Sequence, residues 1–290
     1  MGNVWEAIKK HQAEETTKDE ESRQAAAAAP EATPGEDAPP EPQQAPTAPA
    51  PAGAKAPAAV ATEEAPEGTN GYSELLTALT DRGGPTTDEF RALRTNLLAR
   101  CRGERFCYVI TSADPGEGKT VTTANLGAVM AERPERRTIL VDFDMRKGRL
   151  ASLFGAPQEP GLVDVLRGDA RVEDVIQTPV PNLSLVAGGD AKKAEIGELI
   201  ARGDLEGIVM DLRRRYDYVI FDAPPINEVS DAGILGRAIG SALLVVRLNR
   251  TRRESTDKAI RLLHAANVEL AGIILTHRKY YIPNYLYRYS

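Results

Sequence analysis

One glycine-rich run has the residue types and spacing that bind phosphate groups. It reads Ser112-Ala113-Asp114-Pro115-Gly116-Glu117-Gly118-Lys119-Thr120, between an apolar segment ending at Ile110 and a helix-like stretch from Val121. A strand, a glycine turn and a helix start direct successive backbone N–H groups at a phosphate, and the helix dipole favours its negative charge. The spacing is that of the G-x-x-x-x-G-K-[ST] loop, with Ala113 in place of the first glycine. The run predicts a site for a nucleoside triphosphate.

Two side chains of this loop are suited to the chemistry. Lys119 supplies a positive charge for the β- and γ-phosphates, and the Thr120 hydroxyl is a magnesium ligand. The predicted cofactors are therefore ATP and Mg²⁺. The residues expected to contact the nucleotide are Pro115, Gly116, Glu117, Gly118, Lys119, Thr120 and Val121.

Two later apolar segments end in carboxylates. Residues 138–141 lead to Asp142 and Asp144, and residues 218–221 lead to Asp222. In open parallel sheets, ligands bind at the carboxyl ends of the strands. We therefore expect the three acids near the phosphate loop, with Asp222 holding a magnesium-bound water.

Helical and strand-like patterns alternate over the rest of the chain. This alternation predicts an α/β fold of the P-loop NTPase type, a mostly parallel sheet with helices on both faces, preceded by a disordered Ala/Pro-rich N-terminal region. Further predicted elements are a helix from Val121 to about Glu132, a helix at 162–166, a strand at 183–186, helices at 195–201 and 205–215, a strand at 242–247, a helix at 255–266 and a strand at 271–275.

A helix is also predicted before the phosphate loop. Thr86-Thr87-Asp88-Glu89 has the spacing of a capping box, and Phe90, Leu93 and Leu97 then recur at helical intervals. Asp88, Arg91 and Arg94 fall along another side of this helix. On the residues alone, such a charged stripe is usually solvated.

The N-terminal region has a different composition. Residues 1–16 include a short amphipathic peptide with Trp5 and Ile8, which either docks on a partner or is a frayed end. Residues 17–71 are rich in Ala, Pro and Glu and are predicted to be a disordered linker, because they offer little apolar surface to bury. We expect the folded domain at 72–276 and a tail at 277–290.

Charge and cysteine content limit the possible functions. A formal net charge of -6 argues against a nucleic-acid binder. Two cysteines and no signal peptide indicate a cytoplasmic protein. No apolar run is long enough to span a membrane, so membrane association is expected through a partner.

Five of the nine tyrosines lie in the last eleven residues, at Tyr280, Tyr281, Tyr285, Tyr287 and Tyr289. The alternation of the last three suits one face of an edge strand. Pro283 and Arg288 favour the alternative of an exposed tail.

Together these stretches resemble the bacterial tyrosine autokinases (BY-kinases) that accompany capsule and exopolysaccharide export, from about Thr87 to the C-terminus. Residues 115–120 are similar to the Walker A loop of that family, 141–146 to its second acidic motif, and 221–225 to its Walker B motif. The tail resembles its tyrosine cluster. Because no membrane-spanning co-polymerase is fused to it, the chain looks like the separate cytoplasmic kinase form.

The resemblance implies an ATP-dependent autokinase that transfers the γ-phosphoryl group to the tail tyrosines of a neighbouring subunit and regulates polysaccharide polymerisation or export. It implies catalytic roles for Lys119, Asp142 and Asp144, with Asp142 orienting or accepting the proton of the tyrosine hydroxyl. The magnesium ligands would be Thr120, Asp142 and Asp222.

The resemblance also implies partners. Asp88-x-x-Arg91-x-x-Arg94 looks like the subunit-contact motif of the family, with Asp in place of the usual Glu, and so predicts an ATP-dependent ring. The other implied partners are a membrane polysaccharide co-polymerase that activates the kinase and a tyrosine phosphatase. The protein would then lie at the inner face of the membrane.

Two other functions stay open from the sequence. A regulatory ATPase of the division-site or plasmid-partition type would use an ATP-gated dimer, but such proteins usually carry a lysine where this loop has Asp114. A non-catalytic assembly protein would bind ATP without transferring it. Intact Lys119, Asp142, Asp144 and Asp222 argue against that reading.

Overall fold

The computed structural model describes residues 71–101 and 106–278. The predicted N-terminal peptide, the linker up to residue 70 and the tail from residue 279, with its five tyrosines, lie outside the described residues. The helices are α1 Thr77–Thr80, α2 Pro85–Arg100, α3 Lys119–Ala131, α4 Leu150–Leu153, α5 Leu162–Arg167, α6 Lys193–Arg202, α7 Leu205–Arg215, α8 Asp231–Ile239 and α9 Arg253–Ala265, with a 3-10 turn at Val172–Val175.

The strands form one seven-stranded sheet in the order β3-β4-β2-β5-β1-β6-β7. Every neighbouring pair is parallel except β3 and β4, which run antiparallel at one edge. The predicted mostly parallel α/β fold is therefore confirmed. The strands are β1 Phe106–Ser112, β2 Thr138–Asp142, β3 Ile176–Val180, β4 Leu183–Val186, β5 Tyr218–Asp222, β6 Ser241–Arg247 and β7 Glu269–Thr276.

Apolar side chains cover both faces of the sheet. One buried apolar cluster packs the helices from α5 through α9 against one face of the sheet. A second cluster packs the helices from α1 through α4 against the other face. The central strands β1, β2 and β5 are buried along their whole length. Helices on both faces leave the carboxyl edge of the sheet as the place where polar loops meet.

The start of α2 differs from the sequence prediction. The helix begins at Pro85 with Gly84 as its N-cap, and no side chain caps it. Proline is well suited to the first helical position because it has no N–H to leave unsatisfied. The Thr87 hydroxyl donates instead to the Asp81 carbonyl oxygen at 2.8 Å, so the predicted capping box is wrong. The predicted apolar stripe of α2 is confirmed in part, since Leu97 is buried and Phe90 packs against the second cluster.

Several elements were not predicted from the sequence, and β3 and α8 are the longest of them. Strand β3 pairs with β4 across an irregular register, and Pro179 weakens its strand pattern. Helix α8 follows the Asp222 strand and contains Gly233 and Gly236, which hide its helical signal. Within residues 71–101 and 106–278, no helix is long and apolar enough to cross a membrane.

Candidate active site

The phosphate loop lies between β1 and α3, where the sequence predicted it. Gly116 and Gly118 have φ angles of 77° and 94°, in the left-handed region that glycine adopts without strain. Ala113 is fully buried and is not among the residues with positive φ, so this position does not need a glycine. Its departure from the motif therefore leaves the loop geometry intact.

Lys119 and Thr120, at the start of α3, contact the acids predicted from the sequence. Lys119 Nζ lies 2.8 Å from Asp144 Oδ2 and 3.5 Å from Asp222 Oδ2. The Thr120 hydroxyl donates to Asp222 Oδ2 at 2.7 Å. These hydrogen bonds join the phosphate loop to the ends of both acidic strands.

Strand register explains why the acids meet. Asp142 and Asp222 are directly paired across β2 and β5, and Ile110 of β1 pairs with Asp222 on its other side. The three strands therefore deliver the loop and both acids to one edge of the sheet.

Asp142 is fully buried, and backbone groups hold both of its oxygens. The Asp144 N–H donates to Oδ1 at 3.1 Å, and the Leu150 N–H donates to Oδ2 at 2.9 Å. Burial first, and then the negative charge of Asp222, raise the pKa of Asp142 to about 7. A carboxyl group with a pKa near neutrality can take up a proton at physiological pH.

The site has more negative than positive charge. Asp142, Asp144 and Asp222 surround the single ammonium of Lys119. Burial raises the pKa of Asp222, although Lys119 opposes this effect. Burial would lower the pKa of Lys119, but the charges of Asp222 and Asp144 outweigh it, and the pKa is raised. Such an acidic excess favours a divalent cation.

The oxygen atoms suit magnesium. Asp144 Oδ1 is buried and has no hydrogen-bond partner. The Thr120 hydroxyl and the Asp222 carboxylate lie nearby, because both contact the same Lys119 ammonium as Asp144 does. Hard oxygen ligands of this kind are those that Mg²⁺ takes from P-loop proteins. In the described part of the chain, no group of three or more His, Cys, Asp or Glu side chains is placed to hold a metal alone. This fits a magnesium ion that shares its ligands between the protein and phosphate oxygens.

Two contacting groups were missed from the sequence. Thr123, one turn after Thr120, lies 3.3 Å from Asp222 Oδ1 and 3.0 Å from the Lys119 carbonyl oxygen. Helical spacing from Thr120 could have identified it. Arg146, just after the second acidic motif, binds the buried Asp231 through Nε at 2.9 Å and Nη2 at 3.3 Å. No local signal links residues so far apart in the sequence.

A cavity of about 780 Å³ opens beside the phosphate loop, between Pro115 and residues 250–255. Asp114 lies on its wall and accepts a hydrogen bond from the Ser255 hydroxyl at 2.5 Å. The side-chain amide of Asn227 donates a hydrogen bond to Ser255 Oγ at 3.0 Å. The position where the ATPase alternative expects a lysine thus carries an acid that is tied to α9.

The charged stripe of α2 contacts its own protomer. Arg91 binds Glu132 through Nε at 3.0 Å and Nη2 at 2.5 Å, and also binds Asp88 at 3.0 Å. Arg94 binds Glu132 at 2.9 Å and the Val129 carbonyl oxygen. Glu132 is the C-cap residue of α3, so the stripe is joined to the helix that carries Lys119 and Thr120.

The comparisons with known proteins agree with this geometry. The AAA domain family model matches residues 108–249. The tyrosine-protein kinase YwqD of Bacillus subtilis is 31% identical over 204 residues, which cover 70% of this chain and 85% of YwqD. The chain belongs to the bacterial tyrosine kinase family.

Other members of the family are longer. The tyrosine-protein kinase Wzc of Salmonella typhimurium is 31% identical over 198 residues, covering 67% of this chain but only 27% of Wzc. The chain spans about a quarter of the length of the first curated relatives that it matches.

Solved structures extend the likeness to the fold. The kinase domain of Escherichia coli tyrosine kinase ETK superposes with a TM-score of 0.65 at 29% identity, covering 72% of this chain and 84% of that one. More distant chains with this fold hold magnesium together with ADP or an ATP analogue. The fold and its P-loop are those of proteins that bind nucleotides and magnesium.

Proposed function

We propose that this protein is an ATP-dependent tyrosine autokinase that phosphorylates its own C-terminal tyrosine cluster in trans. The observation that carries the proposal is the hydrogen-bonded set of Lys119, Thr120, Asp144 and Asp222 at the ends of three adjacent strands. Family membership supports the choice of tyrosine as acceptor. The acceptors are Tyr280, Tyr281, Tyr285, Tyr287 and Tyr289.

Nucleotide binding begins with an exchange of partners. The backbone N–H groups of Gly116, Glu117, Gly118, Lys119, Thr120 and Val121 surround the phosphates, beside Pro115. Lys119 leaves Asp144 to neutralise the β- and γ-phosphates. The cavity beside Pro115 has room for the nucleoside.

Three oxygen-bearing side chains would hold magnesium. They are Thr120, Asp142 and Asp222, and the unpartnered Asp144 Oδ1 adds a fourth oxygen to this set. When bound, the ion neutralises the charge that develops on the transferred phosphoryl group.

Proton acceptance falls to Asp142. The Asp142 carboxylate would orient the tyrosine hydroxyl and take its proton as the oxygen attacks the γ-phosphorus and ADP leaves. Asp144, which follows it by two residues, faces the same hydroxyl. Positioning and charge neutralisation are the main contributions that phosphoryl transfer requires.

The proposed kinase function also includes an oligomeric assembly and a location in the cell. We propose that Asp88, Arg91 and Arg94 contact a neighbouring subunit in an ATP-dependent ring. A membrane polysaccharide co-polymerase would activate the kinase and hold it at the inner face of the membrane, and a tyrosine phosphatase would reverse its reaction. The output would be the control of polysaccharide polymerisation or export.

The first experiment maps phosphate on the chain after incubation with magnesium and ATP, by mass spectrometry. Phosphate on the tail tyrosines of the wild type, and none in K119M, is the expected result. Tyr72 and Tyr216 serve as internal controls within the folded domain. If the tail stays bare even with the cytoplasmic segment of a membrane activator present, while ATP is hydrolysed, the protein is a regulatory ATPase.

A mixing experiment tests transfer between subunits. K119M supplies an intact tail without activity, and a variant with all five tail tyrosines changed to phenylalanine supplies activity without acceptors. Phosphate on the K119M tail in the mixture is expected for transfer in trans. Phosphate on the wild type alone, with none in the mixture, would indicate transfer within one chain.

A further inference from the structure

The phosphate loop touches the strand from which the C-terminal segment departs. The hydroxyl of Thr276, the last residue of β7, donates to the Glu117 carbonyl oxygen at 2.7 Å. These residues are 159 positions apart in the sequence. The tail predicted to carry the acceptor tyrosines begins at the next residue.

This hydrogen bond fixes the direction of a peptide group in the loop. A trans peptide is planar, and its C=O and N–H point in opposite directions. Because Thr276 draws the Glu117 C=O outward, the N–H of Gly118 is turned toward the inside of the loop. That N–H is one of those expected to meet the phosphates.

The Glu117 side chain and Gly116 are held in the same way. The buried Glu117 carboxylate accepts hydrogen bonds from the Asp114 N–H at 3.0 Å and from the Thr251 hydroxyl. Arg247 Nη1 donates to the Gly116 carbonyl oxygen at 3.4 Å. The ends of β6 and β7 therefore support the loop from outside.

Thr276 itself is held rigidly. It pairs with Arg247 in the β6–β7 ladder, and its carbonyl oxygen accepts from the Leu248 N–H at 3.1 Å. His277 Nδ1 lies 3.3 Å from its hydroxyl. A fixed donor lowers the ordering cost that the loop would otherwise bear when it closes on a phosphate.

We infer that Thr276 is a positioning residue for the phosphate loop, and that it couples nucleotide binding to the start of the C-terminal segment. The inference rests on the proposed function only in taking a nucleotide as the ligand. Coupling between two sites is reciprocal. Nucleotide in the loop therefore stabilises the end of β7, and displacement of the end of β7 weakens nucleotide binding.

Equilibrium binding of Mg-ADP to the full chain tests the first half. T276V removes the hydroxyl but keeps the shape of the side chain. The Cγ2 atom of Thr276 lies 3.7 Å from the point that a Cβ added to Gly118 would occupy. Loss of one hydrogen bond predicts a roughly 3- to 10-fold weaker affinity, and T276S should restore it to within about twofold. T80V is the matched control, because that hydroxyl donates to the Leu76 carbonyl oxygen at the start of α1, and neither residue lines the cavity beside the loop. Equal affinities for T276V and wild type would overturn the inference.

Hydrogen exchange tests the second half, and the result that would refute it is measured on the wild type. Mg-ADP should slow amide exchange in a peptide covering residues 270–278, and this slowing should be absent in T276V. A wild-type peptide whose exchange does not respond to Mg-ADP would refute the coupling. Neither measurement requires phosphoryl transfer, so nucleotide binding without phosphotyrosine would overturn the proposed kinase alone.

Discussion

The ammonium of Lys119 lies 2.8 Å from Asp144 Oδ2, and both side chains are largely shielded from water. Asp222 completes a buried group of one cation and two anions. Removal of the shared cation would leave the two carboxylates facing each other without compensation.

K119M should therefore do more than abolish phosphoryl transfer. Without added nucleotide, it should lower the free energy of unfolding by about 3 kcal/mol at pH 8, as expected when one partner of a buried ion pair is lost. The loss should shrink as pH falls, because burial raises the pKa of Asp222 and its protonation removes one of the two uncompensated charges. Urea unfolding measures it, and K258M, at an exposed lysine of α9, is the matched control. Equal stability of K119M and wild type at pH 8 would contradict the role given to this cation.

D222N should have the opposite effect on stability. The pKa of Asp222 is raised by burial, so between the ordinary value of 3.8 and its folded value the folded chain binds more protons than the unfolded chain. Its contribution to stability consequently falls as pH rises through that interval. Asparagine cannot titrate, so D222N should melt about 2–4 °C higher than wild type at pH 8, for a gain of about 1 kcal/mol.

The D222N advantage should shrink as pH falls and disappear only below the ordinary value of 3.8, where the wild-type carboxyl holds its proton in both states. Calorimetry from pH 8 down to about pH 3 without magnesium checks this trend. The same variant should lose magnesium-dependent activity. A melting temperature that is lower than wild type at every pH would show that the charge of Asp222 is satisfied in the folded chain.

Thr123 should affect catalysis through Asp222. T123V removes a hydroxyl that lies 3.3 Å from Asp222 Oδ1, so the carboxylate should be less well oriented. We expect a roughly 3- to 10-fold lower kcat with KM for ATP nearly unchanged, and recovery in T123S. T80V is the control, because that hydroxyl donates to the Leu76 carbonyl oxygen within its own helix. A change in KM alone would place Thr123 in nucleotide binding instead.

Glu132 should influence both stability and assembly. Hydrogen bonds from Arg91, and then from Arg94, lower the pKa of Glu132 against the effect of burial. This stabilisation is present above the unfolded value of about 4.5 and is lost as pH falls through the folded value. E132Q should cost about 0.5–1 kcal/mol at pH 7, and this cost should decline as pH falls below the unfolded value of 4.5.

E132Q also leaves Arg91 and Arg94 available to another subunit. Because the same guanidinium groups cannot pair fully with both, E132Q should increase the oligomer fraction at a given concentration, and R91A with R94A should decrease it. Light scattering with Mg-ATP measures the fractions, and E135Q, in the exposed pair with Arg133, is the control. Fewer oligomers in E132Q would mean that Glu132 orients the arginines for assembly.

The sequence predicted the elements that bear the site because each acid follows a buried apolar strand. Asp142, Asp144 and Asp222 come together with Lys119 for that reason, and the sheet order supplies the contact. The start of α2 was misread because Gly84 and Pro85 determine it, while Thr87 bonds elsewhere.

Long-range hydrogen bonds could not be predicted from the local sequence pattern. Thr251 and Thr276 meet Glu117 across 134 and 159 residues, and single threonines carry no spacing signal. Arg91 and Arg94 were expected along a charged stripe, but their common partner Glu132 could not be inferred from α2 alone. Sequence patterns thus identified the chemistry, whereas tertiary packing determines how the groups are held.

Strand β5 lies between β1 and β2, although it follows both by more than seventy residues in the chain. A nascent chain that has emerged only as far as α7 therefore carries the phosphate loop and the first two acids, but has no strand to join them. Pairing of such distant segments is slow compared with local folding. We therefore expect the assembled nucleotide site to form only after β5 has been synthesised and has joined the sheet between β1 and β2.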